Sequence, residues 1–553
     1  MGNIRLQSFI FILSLAWVLS ATAQDQGEIE DTQVIIEKDK PLTLPRANRL
    51  YKPTEISINQ YQPAPVEYSF STIDIQSSEY SPGLGSKQYK PKGEIQQNDN
   101  YLKLGYGNYQ SPLVEGNYTI RLEEHFFNAF VFHESFGKGP VRDEQSAFSD
   151  TQIKLKGHLH GDFNVDPYIN YSRSSYYFYG RDTTFDFANP LIIDDKVALQ
   201  NIALGMVFRQ GMDSKLDYSL RPHYRNTVNK ITGGNKIAVE SELFVEGMAS
   251  YEVVDNLNIG ADLKLATTKY ESSFLQRRNY ISFNPKATYT FDKGIFGAGF
   301  TIATANDTTS ESSSLFFFPD IDFQLNLSPD LALYGKAGGG LEMVGLYSLS
   351  NENRYLENDL MLLNQSNKVD LEGGFKSRIL NQLVLQGYLG YSLIENLPFF
   401  MHNPADSSRF MVAYDSGSLV RTTLGIDAAY FLSKKFSINY SMEYYGYSLN
   451  KLEEAWYKPS SKMDVLVSYM ALDDIRINLN MLFLSGIKAP SPTDESVINL
   501  SSIVDLGLSV DYAINDQISI FGQTRNMVGG NYERYLNYPV RGFSFKLGGV
   551  YMF

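Results

Sequence analysis

The chain has 553 residues, 43% of them hydrophobic, 14% aromatic and 20% charged, and 48 Lys+Arg against 62 Asp+Glu leave a formal net charge of −14. Aromatic richness combined with a mean hydropathy of −0.24 excludes a helical membrane protein and a disordered chain. The acidic balance excludes a nucleic-acid partner, and the absence of cysteine removes disulfides, thiolate metal sites and lipoprotein anchoring.

In chain order, Arg5, the apolar run from Phe9 to Ser20 and the small residues Ala21 and Ala23 read as a secretory signal peptide over residues 1–23. Residues 24–99 are punctuated by seven prolines, among them Pro41, Pro53, Pro65 and Pro82, and read as a short irregular periplasmic arm. Residues 100–553 repeat one unit: about ten alternating residues, a tight turn, about ten more and a longer polar loop. This predicts an all-β fold, a transmembrane antiparallel outer-membrane β-barrel.

The alternation sets the register. Phe436, Ile438, Tyr440, Met442 and Tyr444 fall on one face and Ser437, Asn439, Ser441 and Glu443 on the other; Ile475, Ile477 and Leu479 oppose Arg476, Asn478 and Asn480 in the same way. A soluble sandwich also alternates, but here the polar face is repeatedly charged and short turns alternate with long loops. Tight turns are expected at 123–125, 160–162, 210–215, 253–256, 291–294, 328–330, 380–382, 433–435, 472–474 and 514–516. Ten such turns imply about 22 strands when both chain ends lie in the periplasm. Phe543, Phe545, Leu547, Tyr551 and the terminal Phe553 share the lipid face, with Lys546 turned to the lumen.

The segments SPGLGSKQYKPKG (81–93) and NDNYLKLGYGNYQSPLVEGNYTIRL (98–122) resemble the lead-in to the barrel of TonB-dependent-receptor-like outer-membrane proteins, and VIIEKDKPLTLPRANR (34–49) resembles that family's N-terminal arm. The resemblance implies an outer-membrane location and kinship with transport proteins. It also shows a departure, because residues 24–99 are too few for the globular plug that such receptors carry. The arm therefore reads as a tether or partial lumen filler, with TonB-type coupling through DTQVIIEK as the lesser alternative.

Residues expected to line the lumen are Lys103, Arg121, Lys154, Lys156, His158, His160, Arg221, His223 and Arg225 in the first half, then Asp322, Asp370, Glu372, Glu443, Arg476, Asp505 and Asp511. They form either a passage that sorts solutes by charge or plain cross-strand ion pairs. His158 and His160 have the spacing of a metal bracket, but Lys154 and Lys156 share their face and would repel a cation, so no metal or other cofactor is expected. His402 and Asp406 lie in an outside loop with no nucleophile placed near them, so no enzyme activity is expected. Two functions remain: a transport or channel barrel whose lumen must be closed by loops, arm or another protein, and a structural subunit of a larger outer-membrane complex. In the second, the arm and the loops at 173–196, 343–366, 395–417, 486–499 and 526–540 would contact other outer-membrane or periplasmic proteins.

Overall fold

The computed structural model describes residues 100–553, apart from 123, 142, 162, 181–195, 211–214, 233–235, 307–313, 381, 493–495 and 531. The expected signal peptide and arm lie outside the described residues. Among those described, the chain runs through β1 (Tyr101–Gly107), β2 (Leu113–Leu122), β3 (His125–Phe136), β4 (Phe148–His158), β5 (Phe163–Tyr177), β6 (Lys196–Gln210), β7 (Leu216–Ile231), β8 (Lys236–Val254), β9 (Leu257–Glu271) and β10 (Leu275–Phe291). It continues through β11 (Gly294–Asn306), β12 (Ser314–Ser328), β13 (Leu331–Glu342), β14 (Gln365–Ile379), β15 (Leu383–Glu395), β16 (Pro398–Asn403), β17 (Asp406–Tyr414), β18 (Ser418–Ser433) and β19 (Phe436–Ser448). The last strands are β20 (Ser461–Leu472), β21 (Ile475–Ser485), β22 (Lys488–Pro490), β23 (Val497–Asn499), β24 (Ile503–Ala513), β25 (Ile518–Arg525), β26 (Glu533–Tyr535), β27 (Tyr538–Pro539) and β28 (Ser544–Met552).

Twenty-two of these strands form one antiparallel sheet, and the pairs β16–β17, β22–β23 and β26–β27 are separate hairpins inside long connections. The sheet closes where β1 pairs with β28, from Tyr101↔Met552 to Gly107↔Lys546. Each of the ten expected tight turns joins two neighbouring strands of this ring. Register follows the alternation. Phe545 and Leu547 are 41% and 63% exposed on the outer face, whereas Lys546 between them is 3% exposed. Asn478 is buried as well, and Phe436 stacks edge-on against Tyr469 of the next strand on the outer side.

A ring of 22 strands spaced about 4.8 Å and tilted about 40° is roughly 44 Å across. Side chains on the wall cannot fill that width. The long connections all lie at the end opposite the tight turns.

Candidate functional site

Ion pairs run across neighbouring strands on the inner face. Glu246 lies between Arg221 and Lys264, each at 3.4 Å, and Arg225 pairs with Glu242 at 3.7 Å. Lys286 bridges Asp320 (3.0 Å) and Asp322, and Lys336 meets Glu372 at 3.9 Å. Asp370 accepts from the Ser392 hydroxyl at 2.7 Å, Glu443 from the Tyr388 and Tyr445 hydroxyls at 2.8 and 2.6 Å, and Asp505 from the Asn526 amide at 3.0 Å. Arg476 sits directly across from Asp511 in the β21–β24 ladder. Lys103 and Lys154 lie against the rings of Phe521 and Phe130, and the His223 ring bonds the Tyr168 hydroxyl at 2.7 Å. Arg121 on β2 faces Phe126, and Lys156 on β4 lies between Asn128 and Tyr168. Positive and negative groups thus alternate around the wall instead of dividing it into a basic and an acidic half.

The histidines singled out in the sequence each find separate partners. His158 ends β4 and bonds Asp166 of β5 at 2.6 Å, and Arg209 reaches the same carboxylate at 3.4 Å. His160 lies past the strand end, where its ring meets Asn164 (2.7 Å) and Glu124 (3.5 Å), so the two imidazoles do not share a ligand site. Among the described residues no three His, Asp or Glu side chains are grouped to hold a metal. His402 and Asp406 also part company. Asp406 accepts from the Ser408 hydroxyl at 2.6 Å and pairs with Arg409 at 3.1 Å, while His402 Nδ1 donates to the Ser407 carbonyl at 2.7 Å.

The long loops build the feature that the sequence did not reveal. The loops expected as outer contact surfaces bury their apolar side chains against one another, and the connections 137–147 and 449–460, not anticipated as long, join them. Phe399, Phe400, Phe410, Leu346, Leu349, Leu356 and Tyr457 are 0–1% exposed. Tyr355 stacks on Tyr538 with ring centroids 3.6 Å apart, and Tyr179, Tyr535 and Phe410 meet this pair edge-on or tilted. Burial of this kind stabilises by about 1.5–3 kcal/mol per large apolar side chain. Ala238 on β8 and Leu484 on β21 belong to the same contiguous cluster; they stand at positions 8 and 19 of the ring, 11 of 22 steps apart. The cluster therefore crosses the barrel from wall to opposite wall as a cap.

Polar bonds fasten the cap. Buried Arg278 on β10 donates to Glu240 on β8 (3.0 Å), to the Val344 carbonyl (2.8 Å) and to Asn364 Oδ1 (3.1 Å), and Glu240 accepts from the Leu346 amide at 2.5 Å. Both ends of the β13–β14 loop, which carries the short helix Leu346–Glu352, are thus held to one wall. Along the same wall, Gln276 exchanges hydrogen bonds with the Leu362 backbone, Tyr270 donates to the Asn358 carbonyl and Asn229 bonds Asn358. On the far side Lys458 pairs with Glu352, and Tyr535 donates to the Glu352 carbonyl, both at 2.5 Å. Asp415 accepts the amides of Asn450, Lys451 and Leu452 at 2.6–3.0 Å. Burial would raise its pKa, yet these amide bonds win and hold it below the usual carboxylate value. Burial raises the pKa of Tyr355, Tyr535 and Tyr538, and the Tyr535 and Tyr538 hydroxyls donate to the Glu352 and Ser408 carbonyls. It also lowers the His402 pKa, and the neutral ring accepts from the Tyr457 hydroxyl at 3.0 Å on Nε2. A recess of about 330 Å³ beside the 449–460 connection is lined by Tyr445, Tyr447, Glu453, Lys458 and Lys488.

At the closing seam, Glu134 on β3 holds Lys546 at 2.7 Å and Arg525 at 3.3 Å, a triad assembled from residues up to 412 positions apart.

No protein-family model and no curated protein matches the chain. Solved structures do. The FrpB iron transporter from Neisseria meningitidis aligns with a TM-score of 0.66 over 82% of this chain and 81% of that one, at 8% identity. The siderophore receptor PiuA from Acinetobacter baumannii aligns at 0.58 over 82% and 81%, with 11% identity. The ferric-catecholate import receptor Fiu from E. coli aligns at 0.60 over 83% and 82%, with 10% identity. At these identities the likeness is one of fold.

Proposed function

We propose that the chain is a transport-related outer-membrane barrel whose lumen is shut at the outer end by its own loops, without a folded N-terminal plug. The observation that carries this reading is the apolar cap reaching from β8 to β21, because it closes a ring too wide for wall side chains to fill. Short turns at one end and long loops at the other give the orientation of an outer-membrane barrel, with the cap outside. The fold shared with an iron transporter and with siderophore receptors supports a transport role over a purely structural one.

In this reading the arm at 24–99 is a tether or partial filler at the periplasmic mouth, and coupling to TonB through it is secondary. The inner-face residues from Lys103 to Asp511 line the passage that opens when the cap moves. Their alternating signs give a wetted, nearly neutral wall, so selection by shape at the cap outweighs selection by charge.

Single-channel recording in planar bilayers tests this. Full-length protein should pass little current, and a variant in which residues 345–363 are replaced by a short Gly-Ser linker should conduct steadily. Steady large currents through the unaltered protein, or a loop-deleted variant that stays silent while its barrel is folded, would overturn the reading.

A further inference from the structure

One stretch of the inner wall departs from the alternation of signs. Two rows run across β4, β5, β6 and β7: Lys156, Tyr168, Gly205 and His223 in one, Lys154, Asn170, Ala203 and Arg225 in the next. They face the lumen, since Ile153, Leu155, Ile202 and Leu204 are 37–46% exposed on the lipid side of the same strands. Neither row holds a carboxylate, and their continuations on β3, Asn128 and Phe130, are neutral too. The acids at the border are engaged elsewhere: Asp166 with His158 and Arg209, and Asp150 with Gln152 (3.2 Å) and Ser174 (3.0 Å). Glu242 on β8 meets Arg225 at 3.7 Å and offsets one of the three cations.

The middle of the patch is a floor of small residues. β6 contributes Ala203, 4% exposed, and Gly205, where a Cβ would lie 2.7 Å from the Tyr168 hydroxyl that crosses this strand to reach His223 Nδ1 at 2.7 Å. β4 and β7 stand three steps apart, about 14 Å at about 4.8 Å per step, so long side chains can lean over the floor from both sides. Lys156 is exposed and Lys154 rests on the Phe130 ring, 5.5 Å from its centroid, so neither gives up an ion pair to turn inward. Donors already wait there. With the Tyr168 hydroxyl donating to Nδ1, the ring proton of His223 sits on Nε2, and that atom and Arg225 Nε are buried with no hydrogen-bond partner among the described residues. Asn170 Oδ1 is unpartnered beside them, and a half-turn of its amide presents N–H groups instead. Cations and orphan donors with no carboxylate to meet them are the complement of an oxyanion.

We propose that this patch binds an oxyanion, the carboxylate or phosphate group of a small solute, between Lys154 and Lys156 on one side and His223 and Arg225 on the other. The proposal rests on the transport reading for its place in the passage and names the solute group that the wall receives. Arg225 lies 4.4 Å from the ring centroid of Tyr347 in the short helix of the β13–β14 loop, so the site adjoins the cap.

Isothermal titration of the full-length protein in detergent tests it, with citrate and inorganic phosphate as separate titrants at constant ionic strength. The native protein should show saturable binding of at least one of them. The double variant Lys154→Gln with Lys156→Gln, and separately Arg225→Gln, should each weaken that binding by about tenfold or more, with folding checked by heat-modifiable gel migration. Lys435→Gln, in the exposed turn between β18 and β19, should leave it unchanged. Saturation by citrate alone assigns the site to carboxylates, and by phosphate alone to phosphate. The proposal is overturned by a native protein that binds neither, by a folded lysine variant that binds as well as the native protein, or by a loss in that variant with none in Arg225→Gln. An equal loss in Lys435→Gln shows general charge attraction and also overturns it. Binding is read at equilibrium, so bilayer currents that defeat the transport reading do not decide this outcome.

Discussion

Arg278→Ala is the most direct perturbation of the cap. The native guanidinium is 1% exposed and makes three bonds that no water replaces: to Glu240, to the Val344 carbonyl and to Asn364. Its removal leaves the Glu240 carboxylate, 3% exposed, with the Leu346 amide as its remaining hydrogen-bond donor in this clamp. Breaking a buried pair by removing one partner costs about 3–5 kcal/mol. If that cost falls on the docked state of the β13–β14 loop, its open population rises by roughly two to three and a half orders of magnitude at about 1.4 kcal/mol per tenfold. In planar bilayers the variant should show frequent long openings, and limited proteolysis should cut between residues 345 and 363. The double variant Arg278→Met with Glu240→Leu removes both charges and should close again, since a buried pair replaced by apolar groups is often neutral. A single variant as silent as the native protein would show that the clamp does not hold the cap, and the reasoning would fail.

Acid should loosen the cap at His402. Its pKa is lowered by burial below the ordinary 6.5, so the unfolded chain binds the proton more readily, and stability is full above pH 6.5 and declines as pH falls. The slope is at most about 1.4 kcal/mol per pH unit. Thermal unfolding at pH 7.5 and 5 should therefore differ more for the native protein than for His402→Gln. Asp415→Ala deletes the acceptor of three amides and should cost about 1–3 kcal/mol, read as faster proteolysis of residues 449–460 with the barrel intact. At Gly425 a Cβ would lie 2.0 Å from Tyr388 Cζ, so Gly425→Val must displace that ring and break its 2.8 Å bond to Glu443. Overpacking of this kind costs about 1–3 kcal/mol, and the variant's heat-modifiable band should convert at a lower temperature.

The wall was legible in the sequence because a lipid-facing strand obeys a strict period of two and its turns are short. All ten turns and the inward placement of Lys546 and Asn478 follow from that rule alone. The cap was not legible, because nothing local marks it. Tyr355 and Tyr538 stack although they are 183 positions apart in the chain, and His402 bonds Tyr457, 55 positions on. A clue was present in the apolar content of the loops, Phe399-Phe400, Phe410 and Trp456 among them, which is too high for segments facing water. The charges on the inner face were identified by type, but their partners lie one strand away. Spacing along a single strand shows a histidine near lysines and hides the Asp166 or Glu246 that neutralises the neighbourhood.

The sequence separation of the cap contacts has a consequence for the order in which the molecule forms. Tyr176 reaches Arg354, Tyr538 reaches Ser408, and Lys546 reaches Glu134, so the contacts draw on both halves of the chain and on its final strand. Such distant closures bring no reward until the intervening chain is in place. β28 must reach β1 before the loops have a complete rim to pack against. The packing of the loops on one another is then the last part of the described structure to form, and a chain that lacks its final strand should hold a wall without a cohesive outer layer.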